Sequence, residues 1–244
     1  MELKRLNKMA QMAEIAYADP VTAKKEYKKL GYTGYKYFDV DGAQAHAVWK
    51  KYEYCICFRG TEPSEISDVL ADLNAIPRGS MTHGWVHSGF RKELDKLWGQ
   101  LVDHQSVYLG KNFYITGHSL GAAMATIATS RFEEFTEVTE LYTFGSPRAG
   151  TRKFVNAIKT PHFRCVNNND IVTRVPLAFM GYKHHGKLVY INFYGNIRNM
   201  TSWQRIKDRF RGVRAAWRKG VVFDGAYDHG MNYYVNYTKE NKNV

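Results

Sequence analysis

One serine in this sequence stands where it could become a nucleophile. Gly117-His118-Ser119-Leu120-Gly121 is a Gly-x-Ser-x-Gly pentapeptide, which chance supplies roughly 0.06 times in a chain of this composition. A serine hydroxyl attacks a carbonyl only if a base takes its proton, and a third group must hold that base in one tautomer. Where such a serine sits on a strand-to-helix turn, the partners follow it in the order acid, then histidine. Four histidines follow Ser119: His162, His184, His185 and His229. Asp170 ends the run Asn167-Asn168-Asn169-Asp170 after an apolar stretch, which is loop chemistry at the end of a strand. His162 precedes Asp170, and His184 and His185 come just before another strand, which leaves His229. Asp228 is the rival acid, but adjacent to His229 it must fold back to reach that ring. His118 is the variable position of the pentapeptide and His87 opens a helix, so both are read as structural.

The elements that would position these groups follow from periodicity. Leu3, Leu6, Ala10, Ala13 and Tyr17 recur at helical spacing over residues 2–18. Three strand-like runs come next, Tyr35–Val40, Gln44–Trp49 and Tyr52–Phe58, the first two joined by Asp41-Gly42, a hairpin signal. Helices and strands then alternate: helix 88–102, strand 113–116, helix 120–132, strand 140–144, helix 150–158, strand 163–166 and strand 187–193, followed by helices 202–219 and 230–240. An antiparallel start followed by this alternation predicts an α/β fold, with a mostly parallel central sheet flanked by helices. The pentapeptide falls between Phe113-Tyr114-Ile115-Thr116, a buried strand, and an alanine-rich helix start, as a nucleophile elbow requires. No repeat or linker divides residues 1–244, and one domain is expected.

Composition narrows the classes. No apolar run is long enough to span a bilayer, and Lys4, Arg5, Lys8 and Glu14 interrupt any export signal. Cys55, Cys57 and Cys165 are an odd number, and the first two lie two apart in a strand, so a disulfide framework is not expected and a cytoplasmic location or a leaderless exit fits. No cysteine–histidine cluster has zinc spacing and no phosphate or dinucleotide fingerprint occurs, so no metal or cofactor is implied. No nucleic-acid-binding signature accompanies the net charge of +12.

The chain resembles the class 3 lipases, the group that contains the fungal triacylglycerol lipases. The likeness runs in order through Phe58-Arg59-Gly60-Thr61, Val86-His87-Ser88-Gly89-Phe90, the pentapeptide, Thr143-Phe144-Gly145-Ser146-Pro147-Arg148-Ala149-Gly150, Asn167 to Pro176, and Asp228-His229 with its aromatic run. The resemblance implies the α/β-hydrolase fold and hydrolysis of lipid esters of the triacylglycerol lipase or phospholipase A1 kind. It implies Ser119 as nucleophile, His229 as general base and acid, and Asp170 as its orienting partner. It places an oxyanion hole at the backbone N–H groups of Thr61 and Leu120. It also implies a lid at about 64–76, where Ile66, Val69, Leu70 and Leu73 share one helical face. The tryptophan central to the fungal lids is missing there. An esterase acting on short-chain or aromatic acids is the alternative enzyme, and a catalytically silent lipid- or anionic-surface-binding protein the alternative class.

The positive charge is local. Between Arg198 and Lys219 stand eight basic residues against Asp208, or +7 of the +12. Trp203, Ile206, Phe210, Val213 and Trp217 form one stripe along the same segment, with Trp203, Phe210 and Trp217 its largest members. A basic helix over 202–219 is expected either to dock on the core or to contact an anionic membrane surface.

Overall fold

The computed structural model describes residues 2–61, 76–218 and 224–239. Its helices are α1 (Leu3–Ile15), α2 (Pro20–Lys29), α3 (Ser88–Asp103), α4 (Gln105–Tyr108), α5 (Leu120–Phe132), α6 (Arg152–Ala157), α7 (Ser202–Arg218), α8 (Asp224–Tyr227) and α9 (Met231–Lys239). Its strands are β1 (Gly34–Val40), β2 (Ala43–Trp49), β3 (Glu53–Phe58), β4 (Pro77–Gly79), β5 (Trp85–His87), β6 (Asn112–His118), β7 (Glu140–Phe144), β8 (Gly150–Thr151), β9 (His162–Asn167), β10 (Tyr182–Lys183) and β11 (Lys187–Ile191). The lid-like segment with Ile66, Val69, Leu70 and Leu73 lies outside the described residues.

A seven-stranded sheet in the order β1-β2-β3-β6-β7-β9-β11 carries the molecule. β1, β2 and β3 pair antiparallel, and the pairings from β3 to β11 are parallel. The hairpin between β1 and β2 turns through Asp41 at φ +48° and Gly42 at φ +81°, the left-handed pair that a two-residue turn of matching twist demands. Both faces of the central strands are covered. Along β3, Tyr54, Ile56 and Phe58 join one apolar cluster with α3 and α5. Cys55 and Cys57 face the other way into a second cluster, with α1, α2 and residues of α9. Period-two alternation in a strand buried on both sides therefore sorts side chains between two cores rather than between core and water. The two thiols point the same way, their sulfurs 3.8 Å apart, and all three cysteines are free and buried.

The structure departs from the sequence reading in several places. Residues 150–158 hold the short strand β8 before α6, because Gly150 pairs with Val86 in a small antiparallel sheet of order β10-β8-β5-β4. The last parallel strand ends at Ile191, not at 193. Helix α2 is additional: Asp19 accepts from the N–H groups of Val21 and Thr22, and Pro20 opens the first turn.

Candidate active site

Ser119 connects β6 to α5 with φ +56° and ψ −128°, a backbone region that non-glycine residues enter only under tertiary constraint. The constraint is visible in its neighbours. A Cβ at Gly117 would lie 2.5 Å from the Gly121 carbonyl oxygen, and one at Gly121 would lie 2.4 Å from that of Phe58. The elbow closes only because neither residue has a side chain. Ser119 N–H donates to the Phe144 carbonyl at 3.1 Å, which ties the elbow to the end of β7.

The next residue, Gly145, has φ +57°, and a Cβ there would lie 2.8 Å from both Asp170 Oδ2 and His229 Cε1. Asp170 and His229 are fully buried and pair side by side. His229 Nδ1 lies 2.9 Å from Oδ2 and 3.0 Å from Oδ1. A carboxylate only accepts, so Nδ1 carries the proton and Nε2 presents its lone pair. Nε2 has no hydrogen-bond partner among the described residues. Asp170 also accepts from Tyr234 Oη at 2.5 Å and from the Val172 N–H at 2.9 Å. Burial pushes its carboxyl upward, but the charge and hydrogen bond of His229, with the bond from Tyr234, outweigh that and hold it below the ordinary value. The acid loop is anchored in turn by Asp228, whose carboxylate accepts from the Asn169 N–H at 2.9 Å. The structure thus pairs Asp170 with His229 and turns Asp228 toward the loop.

His118 braces the histidine from behind. Its Nε2 donates to the His229 carbonyl at 2.8 Å, so Nδ1 accepts from Tyr17 Oη at 2.7 Å. The two imidazole rings lie 4.4 Å apart. Burial and then neighbouring His229 push His118 down to about 3. His46 repeats the arrangement, accepting from Tyr35 Oη at 3.0 Å and donating to the Ala16 carbonyl at 3.2 Å, and burial pushes it down to about 4.

An unfolded histidine titrates near 6.5, so below that value the unfolded chain takes up protons that these folded rings refuse. Their stabilising contribution is complete above pH 6.5 and drains away as the pH falls toward 4. Each ring adds a slope of about 1.4 kcal/mol per pH unit within that window. The thermal midpoint should accordingly fall steadily from about pH 6.5 to pH 5, and His46→Gln should flatten part of the slope. A midpoint constant over that range would contradict the neutral assignment.

Thr61 and Leu120 line one cleft of about 310 Å³, with Gly60 and Arg59 from the end of β3 and Met124 from α5. Leu120 opens α5, whose first N–H groups point out of the helix end. Gly60 is held against the elbow, since a Cβ there would sit 2.5 Å from the His118 carbonyl oxygen. Among the described residues no group of histidines, cysteines and carboxylates could hold a metal ion.

The sequence pattern of the family described as Lipase (class 3) matches residues 55–180. The chain belongs to the class 3 lipase family. A lipase of Rhizomucor miehei is 32% identical over 168 residues, 63% of this chain and 46% of the relative. A toxin of Vibrio cholerae is 34% identical over 117 residues, 46% of this chain and 18% of the relative. The match spans less than half the length of either. The solved triacylglyceride lipase of Rhizomucor miehei superposes with a TM-score of 0.68 at 25% identity, covering 77% of this chain and 79% of that one. A lipase from Rhizopus microsporus var. chinensis gives 0.64 at 23%, covering 78% and 74%. The central sheet with its flanking helices is therefore the α/β-hydrolase fold of these lipases.

Within this member of the family, sequence reasoning missed Tyr17, His118, Tyr234 and Gly145 as supports of the Asp170–His229 pair. The matching block Thr143–Gly150 signalled Gly145 without its reason. Nothing local marked the two tyrosines. The basic segment forms α7, and it docks by an unexpected face: Asp208, Gly212 and Ala216 are buried, whereas Trp203, Phe210 and Trp217 stand exposed. Lys219 lies outside the described residues.

Proposed function

We propose that this class 3 lipase hydrolyses carboxylic esters of lipids, acylglycerols or phospholipids, through a covalent acyl-enzyme. The observation that carries the reading is the buried Asp170–His229 pair, whose Nε2 has no hydrogen-bond partner among the described residues, together with the strained backbone of Ser119 at its strand-to-helix turn. Nε2 takes the Ser119 proton as the hydroxyl attacks the ester carbonyl, and the positive imidazole is stabilised by the Asp170 carboxylate. The oxyanion rests on the N–H groups of Thr61 and Leu120, each contributing about 3 kcal/mol to the transition state. His229 then protonates the departing alcohol, and afterwards removes a proton from the water that cleaves the acyl-enzyme. Similarity to acylglycerol lipases supports the lipid substrate.

A fluorophosphonate probe reacts only with an activated serine. Incubation with the folded protein should add one phosphonyl group to the peptide containing Ser119, and heat-denatured protein should gain none. Turnover across p-nitrophenyl esters from acetate to palmitate should rise with chain length. An unlabelled Ser119 peptide would overturn the hydrolase reading, and a preference for acetate would replace the lipase by a short-chain esterase.

A further inference from the structure

Helix α7 turns its most apolar stripe to water. Its inner face is short of apolar side chains and is fixed by polar contacts instead. Asp208 accepts from Asn168 Nδ2 at 2.6 Å, Tyr190 Oη at 3.1 Å and the Phe193 N–H at 2.9 Å. The Arg209 carbonyl accepts from Asn169 Nδ2 at 3.0 Å. These bonds decide the rotation of the helix about its axis and leave Trp203, Ile206, Phe210, Val213 and Trp217 outside. Trp203 is 63% exposed, Phe210 71% and Trp217 82%. A contiguous aromatic ridge of this kind on a protein surface marks a contact site.

Cations border the ridge on the same exposed side. Lys207, Arg211, Arg214 and Arg218 are all exposed, with the Lys207 ammonium 5.2 Å from the Trp203 ring centre. The acidic side chain of α7, Asp208, points inward. A second copy docking by this face would set one cationic helix against another. A nucleic acid would meet the cations but leave the ridge wet. An anionic bilayer satisfies both, with aromatic and aliphatic side chains in the boundary between headgroups and acyl chains and the cations against lipid phosphates.

We propose that α7 is a docking helix for an anionic lipid bilayer, rigidly joined through Asn168 and Asn169 to the loop that carries Asp170. The inference rests on the lipid-ester reading for its purpose, since it delivers the site to its substrate, but binding can be measured without chemistry. The full chain carrying Ser119→Ala should sediment with phosphatidylcholine vesicles containing phosphatidylglycerol and much less with phosphatidylcholine alone, and salt should weaken the binding. Lys207→Glu, Arg214→Glu and Arg218→Glu together should lower partitioning by about a hundredfold. Trp203→Ser, Phe210→Ser and Trp217→Ser together should lower it by about tenfold or more. In the parental Ser119 background both triple variants should hydrolyse soluble p-nitrophenyl butyrate at the parental rate, which also shows that they fold.

Equal vesicle binding by the parent and both variants overturns the proposal. So does a dimer, seen by light scattering, that only the serine triple variant loses. Absent butyrate turnover with intact vesicle binding would instead remove the hydrolase reading and leave the docking helix standing.

Discussion

Replacing Ser119 by alanine is expected to lower turnover of a p-nitrophenyl ester by about a millionfold while leaving the fold unchanged. On the proposed mechanism the hydroxyl supplies the attacking atom, and neither the His229 imidazole nor the cleft at Thr61 and Leu120 replaces it. The same position yields a second readout. A side chain held at φ +56° and ψ −128° stores strain of about 1–3 kcal/mol. Ser119→Gly releases that strain at the cost of a freer unfolded chain, so it should be as inactive as the alanine variant yet more stable by about 1 kcal/mol. Initial rates and thermal midpoints of the two variants check both halves. An alanine variant that keeps parental turnover after titration with the fluorophosphonate would move the nucleophile elsewhere.

Asp170→Asn should cost about ten-thousandfold in kcat. An amide can turn its NH₂ toward the imidazole, which favours the tautomer with its proton on Nε2 and deprives Ser119 of a base. It also removes the charge that stabilises the imidazolium in the transition state. Because Asp170 is held below the ordinary carboxylate value, it stays ionised from neutral pH down through the ordinary carboxylate range, and the loss should persist over that whole span. Tyr234→Phe removes one hydroxyl donor and leaves the carboxylate, so the expected loss is about tenfold. Values of kcat for the two variants, with Asp228→Asn beside them, discriminate the roles. A mild Asp170→Asn together with a severe Asp228→Asn would transfer the acid to Asp228.

What the sequence disclosed was whatever depends on neighbours along the chain. The switch from paired strands to alternating helices and strands, the turn at Asp41-Gly42 and the elbow at Ser119 are local patterns, and each appears in the structure. The N-cap Asp19 with Pro20 is an equally local signal, so α2 too is legible in the sequence. The supports of the acid–histidine pair were not legible, because they exist only after tertiary closure. Tyr17 meets His118 across 101 positions and Tyr234 meets Asp170 across 64. Helix α7 shows a different limit. Periodicity locates a stripe on a helix but not the direction in which it faces, and an inner face of Asp208, Gly212 and Ala216 carries no apolar signature.

The hydrogen bonds from Tyr17 through His118 to the His229 carbonyl, and from Tyr234 to Asp170, have a temporal meaning. The turn at Ser119 is completed by β3 and β7, whereas the Asp170–His229 pair is held by residues drawn from positions 17 and 229–234, with α1 packed against α9. Ser119 precedes His229 by 110 positions, so on the proposed mechanism the serine is synthesised well before the base that would activate it. On that mechanism hydrolytic power would arrive only when the segment around residue 234 has closed against α1.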